Sequence, residues 1–342
     1  MNESKPTATL AEMRALLADL PGPDLDSGTA AATREAQLTK PAGSLGRLEA
    51  IAHWLATWQG KHPPTASHPR TAVFAGNHGV AARGVSAYPA SVTAQMVGNF
   101  VAGGAAVNQL CRAVDADLRV YEMSLDEPTA DLSRAPAMSD EDCALAMAYG
   151  MMAVEPGIDL LAVGEMGIAN TTSAAALAAA LWGGTARDWV GPGTGVAGSV
   201  LANKIAVVDE ALALHRGATR EPLELLRRLG GRELAAIAGA VIAARRARVP
   251  VLLDGYAATA AASVLQAADP HGLDHCLVAH RSAEPGHARL LAALGKEPLF
   301  DLGLRLGEAS GATLAIAVVK AAVACHAGMA TFAEAGVSRR ER

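Results

Sequence analysis

Short runs of β-branched and aliphatic residues recur along the chain, each closing on a polar or glycine-rich turn. Six stand out: 71–80 (TAVFAGNHGV), 117–123 (DLRVYEM), 158–172 (IDLLAVGEMGIANTT), 187–196 (RDWVGPGTGV), 249–259 (VPVLLDGYAAT) and 274–287 (DHCLVAHRSAEPGH). Near-continuous apolar strands mark a parallel sheet covered on both faces, whereas half-exposed strands alternate. Between the runs lie segments with helical spacing, among them 202–216 (ANKIAVVDEALALHR) and 231–247 (GRELAAIAGAVIAARRA). The pattern predicts an α/β fold with a mainly parallel sheet of about six strands and helices on both faces.

The two ends read differently. Residues 1–62 and 303–342 carry helical patterns without a strand, and are expected to pack as a smaller helical domain beside a large α/β domain of residues 63–302. The opening stretch MNESKPTATLAEMRALLADL mixes charges and lacks the apolar core of a signal peptide. The most apolar later segment, 311–332, is interrupted by Lys320 and His326 and dominated by alanine, so it reads as a buried helix, not a membrane span.

Composition narrows the class. Hydrophobic residues make up 51% and charged residues 18%, which excludes a disordered chain. A net charge of −5 gives no reason to expect nucleic acid or an anionic membrane as partner. The four cysteines (Cys111, Cys143, Cys276, Cys325) show no CxxC spacing, so reduced thiols in the cytoplasm are the expectation.

The unusual polar residues follow the strands, where open α/β sheets form their ligand crevices. Asn77 and His78 follow the first strand, Glu165 and Asn170 the third, Asp254 the fifth, and His280 to Ser282 the sixth. Glu165, between LLAVG and MGIANTT, belongs either to the crevice or to a braced loop. His78 has the same two readings. Gly193-x-Gly195-x-x-Gly198 matches the dinucleotide fingerprint, but no acid closes a following strand about 20 residues on. A glycine loop whose N–H groups hold one phosphate fits better. Lys204, early in the next helix, is either a point charge for that phosphate or a solvated helix lysine.

His271, His275, Cys276, His280 and His287 match no familiar metal spacing, and no metal site is expected. G-x-S-x-G, H-E-x-x-H and Walker A sequences are missing. Glu308, in RLGEASGATLAIAVVKAAV, sits among small residues at the mouth of an apolar run. It is either a helix-start acid favoured by the dipole or a general base. These residues leave open a nucleotide-directed transferase, a phosphorylase-like or NAD-dependent enzyme, and a non-catalytic binding protein.

Set side by side, the motifs resemble the nicotinate-nucleotide–dimethylbenzimidazole phosphoribosyltransferase family. The likeness runs through LTKPAGSLGRLE (38–49), FAGNHGVAARGVSAYPASVTAQMVGNFVAGGAAVN (74–108), GEMGIANTT (164–172) and VGPGTGV (190–196). It continues through NK (203–204), LLDGY (252–256), HRSAEPGH (280–287) and LRLGEASGATLA (304–315). The resemblance implies a Rossmann-like α/β domain, a small helical domain from both chain ends, and a homodimer. It implies transfer of phosphoribose from nicotinate mononucleotide to 5,6-dimethylbenzimidazole with inversion, in assembly of the lower nucleotide loop of cobalamin. No cofactor and no metal are implied. By motif, Glu308 is similar to the family's general base and Glu165 to a second acid near the reacting centre. Gly167, Gly193, Lys204, Asp254 and Ser282 fall in nucleotide- and phosphate-binding motifs. Tyr88, Gln95 and Met96 fall in the aromatic-base segment. Asn77 stands where members often carry Asp before His-Gly.

Overall fold

The structure is a computed structural model, and it describes residues 8–338. The first seven residues of the charged opening stretch lie outside the described residues. Five strands form one all-parallel sheet: β1 (Pro69–Ala75), β2 (Asp117–Glu122), β3 (Leu160–Met166), β4 (Val251–Leu253) and β5 (Cys276–Val278). Their order across the sheet is β2-β1-β3-β4-β5. The expected fourth run, 187–196, is not a strand. It is a one-turn helix, Ala186–Trp189, followed by a loop. Pro192 has no N–H for a ladder, and Gly193 and Gly195 take positive φ values of 52° and 108°. The apolar pair Trp189–Val190 is buried by tertiary packing, not by pairing.

Both faces of the central strands are covered, so strand periodicity shows in which layer each residue meets. Ala72, Phe74, Leu161, Val163, Val251 and Leu253 share one cluster with the helices Asp140–Met151, Asn170–Trp182, Arg232–Arg246 and Tyr256–Ala268. Leu160, Ala162 and Leu252 point the other way, to Ile51 and Leu55 of the helix Arg47–Gln59 and to the long C-terminal helix Ser310–Gly328. Val73 and Ala75 join a third cluster with Val97, Phe100 and Val107 on that same side. Edge strand β2 is instead half exposed. This is why its sequence, DLRVYE, alternates.

The long C-terminal helix is long and apolar enough, by length and composition, to cross a membrane. Its Ala312, Ala315, Ile316 and Val319 are fully buried against the sheet. Each buried aliphatic side chain of the larger kind contributes roughly 1.5–3 kcal/mol. The chain ends meet through Arg34, whose guanidinium donates to the carbonyls of His326, Ala327 and Met329 at the end of this helix. By contrast Met13 and Leu17, on the helix Leu10–Ala18, join the opposite cluster.

Candidate active site

The strand order reverses between neighbours β1 and β3, the place where doubly wound sheets leave a crevice beyond the carboxyl ends of their strands. Three acids converge there. Glu165 is the penultimate residue of β3, Asp254 follows β4, and Glu308 stands two residues before the long C-terminal helix begins. All three are buried. Two backbone details bring the glutamates together. Glu308 donates its N–H to the Glu165 carbonyl at 2.9 Å. Gly164 leaves room for the Ala309 backbone, which any Cβ at 164 would overlap, and a Cβ on Gly307 would lie 2.9 Å from Glu165 Oε1.

Glu308 and Ala309 are both left-handed, at φ 60° and 56°. For residues with a Cβ this costs roughly 1–2 kcal/mol each. The turn is held by what surrounds it. Asp254 Oδ1 accepts the N–H of Ala312 at 2.9 Å, capping the helix from another strand end. His280 Nε2 lies 3.5 Å from the same oxygen; burial lowers the imidazole pKa, but Asp254, with smaller help from the Arg281 backbone and Asp301, leaves it raised above its ordinary value. Glu308 Oε2, by contrast, is buried without a hydrogen-bond partner. Burial, and then the negative charge of Asp254, push the Glu308 carboxyl up to about 7. Glu165 is pushed well above the usual carboxylate range by burial, then by Asp254 and Glu233. Asn170 donates to its Oε2, which opposes that rise.

A second group lies one residue further on. Thr171 Oγ1 accepts from Lys204 Nζ at 2.8 Å, and the Gly191 carbonyl accepts from the same ammonium at 3.1 Å. Adjacent residues Asn170 and Thr171, at the start of one helix, therefore serve the acids and the lysine respectively. Lys204 is 1% exposed, which removes the solvated-helix reading. Burial lowers its pKa to about 8, with Glu284 opposing. Gly193 closes the group: a Cβ there would sit 2.7 Å from Thr171 Oγ1 and 2.9 Å from Lys204 Nζ. Arg305 donates to the Gly193 carbonyl at 3.3 Å, linking the loop to the segment that carries Glu308.

The remaining expected residues fall around these two groups. Gly167 packs so tightly that a Cβ would lie 2.7 Å from the Gly76 carbonyl. Ser282 is buried, its N–H donated to His287 Nδ1 at 2.8 Å and its Oγ accepting from Glu284 N. Tyr88 is 55% exposed on a segment tied to the glycine loop, where Thr194 Oγ1 accepts from Ala87 N and meets Ser86 Oγ. Gln95 is exposed, while Met96 packs into the cluster that includes Ala309 and Met166. Asp254, grouped by motif with the phosphate residues, has Ala312 N and His280 as its polar neighbours here. His271 is exposed beside Asp274, His275 bonds the Val241 carbonyl, and His287 serves Ser282. Among the described residues no three His, Cys, Asp or Glu side chains converge as metal ligands would.

Two buried acids close to these groups were not among the expected residues. Glu233 pairs with His78 at 2.6 Å, both side chains fully buried, so His78 braces the loop after β1 from behind the site. A first-turn glutamate is ordinary in a helix, and nothing local signals this one. Glu284 accepts the Gly193 N–H at 2.8 Å. Its signal was its neighbourhood, two residues after Ser282 and just before Pro285.

A doubly wound sheet with three buried carboxylates at its switch point, and a glycine loop beside a buried lysine, is an arrangement suited to an enzyme of nucleotide group transfer. Residues 20–337 match a family model described as phosphoribosyltransferase. A nicotinate-nucleotide–dimethylbenzimidazole phosphoribosyltransferase of Rhizobium meliloti (strain 1021) is 60% identical over 330 residues, 96% of this chain and 97% of that one. The protein of the same name from Sinorhizobium medicae (strain WSM419) is 60% identical over 329 residues, with the same two shares. The crystal structure of the Thermus thermophilus protein of that name superposes with a TM-score of 0.86 at 41% identity, over 93% of this chain and 100% of that one. This chain belongs to the nicotinate-nucleotide–dimethylbenzimidazole phosphoribosyltransferase family.

Proposed function

We propose that this chain transfers the phosphoribosyl group of nicotinate mononucleotide to 5,6-dimethylbenzimidazole. The products are nicotinate and α-ribazole 5′-phosphate, the latter destined for the lower nucleotide loop of cobalamin. The observation that carries this reading is Glu308, a buried carboxylate with one unpartnered oxygen and a pKa of about 7 beside two further buried acids. Such a cluster is short of a cation, and the ring nitrogen of nicotinate mononucleotide is one.

The bond from C1′ to the pyridinium nitrogen breaks, and its electron pair neutralises that nitrogen, so departure calls for no strong general acid. One benzimidazole nitrogen attacks C1′ from the opposite face, inverting β to α. The proton on its other nitrogen becomes acidic as the bond forms, and Glu308 accepts it. The substrate's cation lowers the cost of ionising Glu165, which then faces the positive charge that develops at the ribose. Lys204, Ser282 and the amides near Gly167 and Gly193 take the 5′-phosphate, while Tyr88, Gln95 and Met96 border the aromatic base.

Nicotinate release measured across several aromatic bases tests the reading. Glu308→Gln keeps size and removes basicity, and is expected to lower kcat by about 10²–10⁴-fold. Near-normal turnover would sink the assignment. By the same family reading the enzyme is a cytoplasmic homodimer whose chain ends, 1–62 and 303–342, form the small helical domain. Sedimentation equilibrium reads its mass directly, and a monomer at assay concentrations would refute the dimer.

A further inference from the structure

Glu284 has no task in the scheme above. It stands at the start of the helix Pro285–Leu294 yet makes no side-chain cap there. Its carboxylate turns instead to the glycine loop, where Oε1 accepts the Gly193 N–H at 2.8 Å. Oε2 is buried without a hydrogen-bond partner, and the residue is 4% exposed. A Cβ on Gly191 would overlap Oε2, so the loop is cut back to glycine there to admit this carboxylate. The charged and titratable groups that face it come from three other elements: Lys204, Arg305 and the Tyr256 hydroxyl, which donates to the Trp189 carbonyl. Burial raises its pKa, and Lys204 holds it partly down.

An amide in a positive-φ glycine turn beside a buried lysine is the arrangement that receives a phosphate oxygen. Here a carboxylate already holds that amide. We propose that Glu284 is the resident anion of the phosphate site, and that nucleotide binding displaces it from the Gly193 N–H and leaves it protonated. This rests on the phosphoribosyl-transfer reading, which brings a 5′-phosphate to the loop. A phosphate oxygen replaces Oε1 as acceptor, and one solvent proton neutralises the displaced carboxylate. Lys204 then faces the phosphate alone, where otherwise two anions would share one buried cation.

Calorimetric titration of the full chain with nicotinate mononucleotide, and separately with inorganic phosphate, in two buffers of different ionisation enthalpy, measures protons taken up on binding. The wild type is expected to take up a substantial fraction of a proton per site with either ligand. Glu284→Gln and Glu284→Ala are expected to bind roughly tenfold tighter, about one pKa unit of coupling, and to lose that uptake. If Glu284 only braces the loop, Gln leaves affinity unchanged and Ala weakens it, which overturns the proposal. Uptake that persists undiminished in Glu284→Gln comes from Lys204 or from the phosphate itself and overturns it equally. Circular dichroism melts establish that both variants are folded. Failure of the wild type to release nicotinate removes the transfer reading, whereas the phosphate titration still decides the role of Glu284.

Discussion

Glu308 combines a left-handed backbone, which opposes folding in either protonation state, with an unpartnered buried oxygen and a neighbouring carboxylate, which oppose it when Glu308 is ionised. Its folded pKa, about 7, lies above the ordinary 4.5. Stability from this group is therefore complete below the unfolded value and is lost as pH rises through about 7. The slow Glu308→Gln enzyme is for that reason expected to be the more stable one above neutrality, by roughly 1–3 kcal/mol, with the difference vanishing in mild acid. Denaturant unfolding at the two pH values checks it, and equal stability at both would show that the carboxylate is solvated. At this scale the sequence was legible for Glu165 and Glu308, because strand ends and small-residue turns advertise themselves. For Lys204 it left two readings open, a point charge or a solvated helix lysine, because the burial that separates them depends on Thr171 and Gly191 reaching it from other elements.

The long C-terminal helix is where an element becomes part of the chemistry. Asp254, from the end of β4, caps its first turn and supplies the charge that raises Glu308. Asp254→Asn preserves an acceptor for the Ala312 N–H but removes the charge. With Glu308 as the proposed base, the acidic limb of the rate–pH profile is expected to move to lower pH by on the order of one unit. An unmoved limb in a folded variant would mean that burial alone sets the Glu308 pKa. The run 187–196 belongs to this scale as well. Its apolar residues suit a strand, but Pro192 and the left-handed glycines deny it a ladder, and the resulting loop turns the Gly193 N–H to the Glu284 carboxylate.

Across the whole molecule, the alanine- and glycine-rich composition sets layer spacing. Gly239 and Gly150 lie where the helices Arg232–Arg246 and Asp140–Met151 touch backbone to backbone, and a Cβ at 239 would overlap the Met147 backbone. Gly239→Ala is expected to cost roughly 1–3 kcal/mol by overpacking. Nicotinate release at low temperature should stay near normal, because this contact joins two helices to each other and includes none of the three converging acids. A denaturation midpoint equal to wild type would show that the layers separate freely.

From its own order of residues the chain determined a great deal: strands that are apolar on both faces, helices between them, and acids and glycines where the strands end. Those features are local, since periodicity and turn chemistry act over a few residues. The motif order carried the family. Only the tertiary structure decided that there are five strands, that Lys204 is buried, and that Glu233 and Glu284 stand behind and within the site. These outcomes depend on contacts between residues as far apart as His78 and Glu233, or Gly193 and Glu284. Burial sets the cost of each charge, and burial is a property of the assembled layers rather than of any one segment.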